Sequence, residues 1–571
     1  MLELGIDYLA PDRQAPGKGS IYLLVYRRKR SSNPTPERPF AEPSGQAAVF
    51  EAALNEQIVK FLGAIPLLLP FFERLGLRQI VNRHLGPTEA EHDPGLVVLI
   101  LGINRLLAPR PMVRVESWLD RTALPDILGV SADQFNDDRL ARTLDLLAPH
   151  LEAIWQELVV AAIVEFDLDL SQWCYDITSI AFTGDYDQAE LVRYGYSRDH
   201  RPDLKQVELA VDVTAEGGVP VDYRVLAGNI ADRTTPVENL ARLRQLLDTL
   251  PQADPSRLPV VPLLISDLAM LTPESTAEYC RHKVHFLGPY DADESGRKLL
   301  RKVSTEELTD HPLAYRPQRA ERDRSFQPYQ GVLRPLELEH PEPDHKPLEL
   351  QALVVFSPGK ARLDAQLRET NLTKLETKLA DLTAKLNRRP YTKVEAVEKR
   401  LKALLSHHPA RPFLAVSLED QEGSLVLTWQ RQEDAIAQAA ELDGRYLLVT
   451  NDFGLDASTM LTLSKRRDVP EKRFSTVKGP LAVRPVYVHK QQRVLGLVFC
   501  TLVALLELEC KRASIPRSGT TLFQEFASLS MVVTTFPDGT VLRRQSNPEP
   551  KQFAVLEALG LPRDSYSISK C

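Results

Sequence analysis

Apolar residues recur at helix spacing from Ala47 to about Asp167, in FEAALNEQIVKFLG, LVVLILGINRLL and LARTLDLLAPHLEAIWQELVV, and predict an all-helical unit over residues 46–168. Around Trp173 the period shortens to that of a strand. WCYDITSIAF, QVELAVDV and VPVDYRVLAG are the expected strands, and Gly217-Gly218 joins the last two as a hairpin turn. A helix is expected from Pro236 to Leu250, with Val237, Leu240, Leu243, Leu246 and Leu247 on one side. VVPLLISD then forms a nearly continuous apolar run, the pattern of a central strand covered on both faces. After a short helix near Ser275 to Cys280, VHFLGPY supplies a fifth strand, so the order over residues 169–295 is three strands, helix, strand, helix, strand.

The pattern changes again over 296–440. Leu372, Leu375, Leu379, Leu382 and Leu386 alternate three and four apart as a heptad seam, which Asn387-Arg388-Arg389-Pro390 breaks. A second seam follows at Val394, Val397, Leu401 and Leu404, giving a helical hairpin over 361–405 with Arg388, Arg389 and Lys393 at its tip. LELQALVVF and LVLTW flank the hairpin as strands. The block reads as an insertion because RYLLVTND (445–452) resumes the earlier strand pattern, opening a second core segment at 441–520. Residues 521–571 read as an α/β appendage, and 1–45 as one strand-like run, Ile21 to Tyr26, with a basic and Pro/Ser-rich linker.

A chain of 571 residues exceeds what one hydrophobic core supports, so three or more units are expected. Its 70 basic and 77 acidic residues leave a formal charge of -7, so any phosphate contact must rest on local clusters such as Arg27 to Arg30, Arg388-Arg389 and Lys465 to Arg467. Five cysteines without a C-x-x-C pair suit a reducing compartment. MLELGIDYLAPDRQ has acids and a proline where a signal peptide would be basic and then apolar. The longest apolar run, Val494 to Leu506, is too short to span a bilayer and reads as a buried helix, so no membrane association and a cytoplasmic location are expected. The histidines and cysteines fall at no zinc-ligand spacing, and neither a phosphate-binding Gly-rich loop nor a Ser/His/Asp signature is present.

Two carboxylates stand out. Asp176 lies inside the apolar strand CYDITSI, where a lone acid is costly unless paired, hydrogen-bonded or metal-bound. Asp267 ends the central strand, the end at which open α/β sheets place ligands. On adjacent strands the two could share a divalent cation, although each also has an ordinary explanation as a hydrogen-bonded strand residue or a helix cap.

At this point the sequence resembles a known family. GYSRDHRPDLKQVELAVDV (195–213), preceded by YDITSIAF and followed by AGNIADRTTP and LLISD, closely resembles the core of insertion-sequence DDE transposases of the group with a Y-R-E-K signature. The resemblance extends upstream through NRLLAPRPMVRVESWL and FNDDRLARTLD. It implies an α/β fold: an RNase H-like mixed sheet with flanking helices, interrupted by an inserted helical-hairpin and β subdomain and preceded by an all-helical domain. It also implies that Asp176 and Asp267 are the first two catalytic acids. In SKRRDVPEKRFSTVK, the residues Arg467, Glu471 and Lys478 match Y-x2-R-x3-E-x6-K, with Ser464 where the tyrosine belongs and Leu268 and Ala269 after the second acid where relatives carry a more polar or glycine-containing pair. Glu471 is thus the implied third ligand, although Asp468-Val469-Pro470-Glu471 also reads as a capping box.

The resemblance therefore implies a DNA transposase that cleaves and joins strands using two Mg²⁺ or Mn²⁺ ions on Asp176, Asp267 and Glu471. DNA contacts are implied for Arg467, Lys478, Arg198 and Lys205, and the partners are element ends and target DNA, with a homodimer assembled on them. The alternative is a catalytically inactive DNA-binding protein derived from such an enzyme.

Overall fold

The computed structural model describes residues 57–87, 93–231, 234–253, 261–267, 271–290, 294–317, 326–483, 488–514, 519–536 and 539–566. The expected element at 1–45, the cluster Arg27 to Arg30, and Leu268 and Ala269 lie outside them.

The N-terminal part is mostly helical, with its longer helices at Ile65–Arg74, Pro94–Leu107, Asp137–Leu147 and Leu151–Glu165. Asp93 caps Pro94–Leu107 by accepting the Leu96 N–H at 3.1 Å, with proline in the first turn where no N–H is needed. That helix is buried on every side, which accounts for an apolar run without a polar face. Gly95 lets it approach its neighbour, since a Cβ there would stand 2.5 Å from the Arg78 carbonyl oxygen. One expectation fails here. Ile58–Phe61, expected within a helical run, is a strand (β1) because it pairs with a segment near the C-terminus.

The core is an eight-stranded mixed sheet. β2 (Gln172–Ala181), β3 (Gln206–Thr214) and β4 (Pro220–Ala227) are antiparallel neighbours. Gly217 and Gly218 make the β3–β4 turn at φ 76° and 65°, a left-handed conformation that favours glycine. A helix at Pro236–Ala253 leads to β5 (Leu263–Ser266), and a helix at Pro273–Arg281 to β6 (His285–Tyr290). β5 runs parallel to both β2 and β6 and is buried throughout, as its continuous apolar run requires. The expected order of three strands, helix, strand, helix, strand is the observed one.

The sheet does not stop at β6. β7 (Gln330–Leu338) and β8 (Leu348–Phe356) extend it through β11 (Arg445–Thr450), giving the order β4-β3-β2-β5-β6-β11-β8-β7. The block 296–440 is therefore not a separate insertion throughout. What stands apart is the helical hairpin Pro358–Thr383 and Val394–Leu405, closed by a two-stranded sheet of β9 (Leu414–Gln421) and β10 (Ser424–Arg431). Its seam leucines share a core with Leu414, Leu425 and Leu427, distinct from the main one. The two seams thus bury each other and a β-hairpin as well. Arg388, Arg389 and Lys393 at the tip are exposed.

Near the C-terminus, β12 (Ser530–Thr535) and β13 (Val541–Gln545) complete a three-stranded sheet with β1. Leu522, Phe526, Met531 and Leu556 pack there against Leu62, Leu67 and Phe71, so the expected appendage closes onto the start of the helical part. The run Val494 to Leu506 lies in the helix Gln491–Ser514 and is buried except at Leu495. By length and composition the continuous helical stretch Asp137–Glu165 could cross a membrane, but its Leu140, Leu144, Ile154, Trp155 and Leu158 are buried in the protein core.

Candidate functional site

β2 and β5 are in parallel register with Tyr175 opposite Ser266, so the next residue of each, Asp176 and Asp267, emerges at the same level of the sheet. The third acid arrives on the helix Asp468–Lys478, which packs across β2 and β3. Arg473, buried on that helix, donates from Nε to the Gly218 carbonyl at 2.8 Å and from an Nη to that of Gly217 at 2.7 Å, pinning the helix to the β3–β4 turn. The preceding turn is tied to β2 as well: Arg466 donates to the Gln172 side chain at 2.8 Å, and the Cys174 thiol to the Arg466 carbonyl at 3.5 Å.

The result is a cavity of about 120 Å³ lined by Tyr175, Asp176, Asp267, Arg467 and Glu471. Asp176 is half-buried and accepts the Ile177 N–H at 2.7 Å. Burial first, and then the nearby Asp267 and Glu471 carboxylates, push its carboxyl up to about 7, against the opposing pull of that N–H and of Arg198. Asp267 is exposed, with Arg467 Nη1 at 3.3 Å from its Oδ1. Glu471 is exposed and forms no hydrogen bond among the described residues, so it does not close the capping box that the sequence also allowed. The ligand oxygens of the three acids do not all come within 4.8 Å of one another.

Of the cations expected at this site, only Arg467 lines the cavity. Lys478 is paired to Asp199 at 2.8 Å, Arg198 to the buried Glu208 at 2.7 Å and Lys205 to Asp187 at 2.9 Å. Ser464 is buried, its hydroxyl donating to the Leu461 carbonyl at 2.7 Å.

Several features have no clear mark in the sequence. Tyr175 lines the cavity, and Arg473 positions the helix that carries Glu471; neither has a local signature. Elsewhere, Arg110, Arg114 and Arg121 surround Ser117 and the Trp118 indole in a pocket of about 360 Å³. None of these guanidiniums has a carboxylate partner among the described residues, and their helix-like spacing in RPMVRVESWLDR was the available signal. On the sheet face opposite Asp176, the buried Asp212 and Asp222 are cross-strand neighbours. Arg242 grips Asp222 with two hydrogen bonds of 2.6 and 2.8 Å, and Asn239 donates to Asp212 at 3.1 Å. Asp222 is thus paired inside the fold, whereas burial first, and then the Asp222 carboxylate, hold the Asp212 carboxyl well above the usual carboxylate range.

A family model described as a domain of unknown function (DUF4277) matches residues 57–160, most of the helical part. No curated protein matches. Among solved structures, a cryo-EM structure of the piggyBac transposase synaptic complex with hairpin DNA is similar over 81% of this chain and 79% of that one, at 9% identity and a TM-score of 0.37. A likeness of that size does not by itself establish a common fold.

Proposed function

We propose that this chain is a metal-dependent DNA strand transferase of the DDE transposase type, with an RNase H-like core that cleaves and joins the ends of an insertion sequence. One observation carries the reading: Asp176, Asp267 and Glu471, widely separated in sequence, line one cavity together with Arg467. Folding alone does not call for this arrangement, because gathering carboxylates around a half-buried acid opposes their ionisation. The strand order and the helix bearing Glu471 agree with the architecture implied by the motifs around 176, 267 and 464–478.

The donor set fits a hard divalent cation such as Mg²⁺ or Mn²⁺, since it offers carboxylate oxygens of which two, on Asp176 and Glu471, form no ion pair among the described residues. Two such ions held there would supply charge stabilisation at the entering and leaving oxygens of an in-line phosphoryl transfer. The chain's own residues then divide the work. Asp176 is the fixed ligand, held in a strand with ladders on both sides. Asp267 and Glu471 are exposed, leaving the cavity open toward a DNA strand. Arg467, released from Asp267, can offer its guanidinium to phosphate. The arginine pocket around Trp118 supplies a second phosphate-binding surface, which offsets the negative net charge.

The second reading, an inactive DNA-binding derivative, is favoured by the Arg467 contact on Asp267 and by the spacing of the three acids. Purified protein incubated with DNA carrying the element's own ends, with and without Mg²⁺ or Mn²⁺, separates the two. The transferase reading expects metal-dependent cutting and joining that Asp176→Asn abolishes. Metal-independent binding without cutting by the unmodified protein selects the inactive reading.

A further inference from the structure

The turn joining β7 to β8, residues 339–347, has the sequence EHPEPDHKP. Its His340 and His345 rings stack with centroids 4.5 Å apart and planes 16° from parallel. Glu342 lies between them in sequence, and one ligand atom from each of the three residues falls within 4.8 Å of the others. His345 Nε2 is 3.4 Å from Glu342 Oε2. The Glu342 N–H donates to His340 Nδ1 at 3.1 Å, so the Nδ1 lone pair points into the turn rather than to solvent.

We propose that His340, Glu342 and His345 form a binding site for a zinc-class divalent cation, separate from the carboxylate cavity. Two imidazoles and one carboxylate are a donor set for late first-row metals, whereas Mg²⁺ prefers oxygen ligands throughout. Tetrahedral zinc, with bonds of about 2.0–2.1 Å, needs ligand atoms roughly 3.4 Å apart. The His345–Glu342 pair already stands at that spacing. The remaining gaps close by side-chain rotation, which the exposure of Glu342 and His345 permits, and the Glu342 N–H then turns to water.

The backbone prepares this geometry. Pro341, Pro343 and Pro347 restrict the turn, and Asp344 takes φ 71°, the left-handed conformation that turns the chain so that His345 returns over His340. Each feature lowers the ordering cost of binding. His340 and His345 are five residues apart, a spacing that zinc-ligand histidine pairs use, which corrects the expectation from the sequence that no histidines fall at such spacing; the left-handed residue between them is what brings the two rings together. β8 runs parallel to β5, with β6 and β11 between them, so the β7–β8 turn at the start of β8 lies at the end of the sheet opposite Asp267. The two sites are therefore well separated.

The test uses full-length protein stripped with chelator, then titrated with ZnCl2 against a chromophoric zinc chelator, with circular dichroism as the check on folding. The His340→Ala/His345→Ala double variant should bind one zinc equivalent fewer than the unmodified protein. Glu342→Ala should keep the stoichiometry and weaken that equivalent by at least about tenfold. Asp176→Asn should leave zinc binding at this site unchanged, so failure of the transferase reading would not touch it. Equal zinc stoichiometry in the unmodified and double-variant proteins, or no zinc bound by either, would overturn the site.

Discussion

Arg473 and Gly218 lock two distant parts of the fold: the guanidinium of one donates to the carbonyl of the other at 2.8 Å, and a Cβ on Gly218 would collide with that guanidinium. Glu471 sits two residues before Arg473 on the same helix, so its position depends on this contact. Arg473→Ala leaves two carbonyls without a donor and should cost about 2 kcal/mol of stability. If the chain is the strand transferase proposed, the substitution should also lower DNA cleavage by at least about tenfold while DNA affinity stays within about twofold. Arg473→Lys, which cannot reproduce the fork, should recover stability better than cleavage. Equal losses of cleavage and binding in both variants would count against a positioning role.

Asp176 makes stability depend on pH in a definite direction. Its carboxyl is raised from 3.8 to about 7 in the folded chain, so the folded state holds a proton that the unfolded state releases earlier. The associated stability is fully present below about pH 4 and is lost as pH rises through 7. Asp176→Asn should therefore stabilise the metal-free protein at pH 8 by on the order of 1–3 kcal/mol relative to the unmodified chain, with little difference at pH 4. Chemical denaturation at the two pH values reads this out. A variant destabilised equally at both would show that Asp176 is an ordinary ionised acid.

The same proton competes with metal. If Asp176 helps hold Mg²⁺, the Mg²⁺ concentration giving half-maximal thermal stabilisation should fall as pH rises from about 5.5 to about 7.5, because the proton no longer has to be displaced. Asp176→Asn should remove most of that stabilisation. A response to Mg²⁺ that is independent of pH and survives the substitution would place the ion elsewhere.

Arg110, Arg114 and Arg121 have no carboxylate partners to release among the described residues, so if the chain binds DNA as proposed they should meet phosphate directly. Replacing all three with alanine should reduce the slope of log affinity against log salt by about 0.9 for each phosphate no longer neutralised, up to about three phosphates. Binding should weaken similarly for all sequences, since phosphate contacts carry no base readout. An unchanged salt slope would show that the pocket does not meet DNA.

The helical hairpin with its β-hairpin should be removable. The Ser357 N–H donates to the Gly444 carbonyl at 2.9 Å, and Phe356 is in register with Arg445, so β8 and β11 already approach as neighbouring strands. Replacing residues 358–443 by a short Gly-containing turn should leave a cooperatively folding sheet, and the excised segment should fold around its own leucine core. An insoluble shortened chain, rescued by no turn length, would show that the segment supports the sheet.

Local periodicity determined much of this protein without reference to structure. The alternation in β2, β3 and β4, the paired glycines of their hairpin, the continuous apolar run of β5 and the leucine seams each follow from residues close together in sequence. Asp176 and Asp267 stand out in the sequence as acids interrupting or ending apolar strands, whereas Glu471 is singled out only by the resemblance of SKRRDVPEKRFSTVK to a family motif. Tertiary structure decided the rest. β1 finds its partner in β12 near the other end of the chain, and β7 and β8 join the main sheet through β11, because strand edges pair by backbone hydrogen bonds that leave no mark on side-chain order. Arg473 is drawn inward by two turn carbonyls, and Arg467 toward Asp267, by electrostatic contacts between segments that sequence spacing does not relate. Where each charge ends up is set by which opposite partner the completed fold brings within reach.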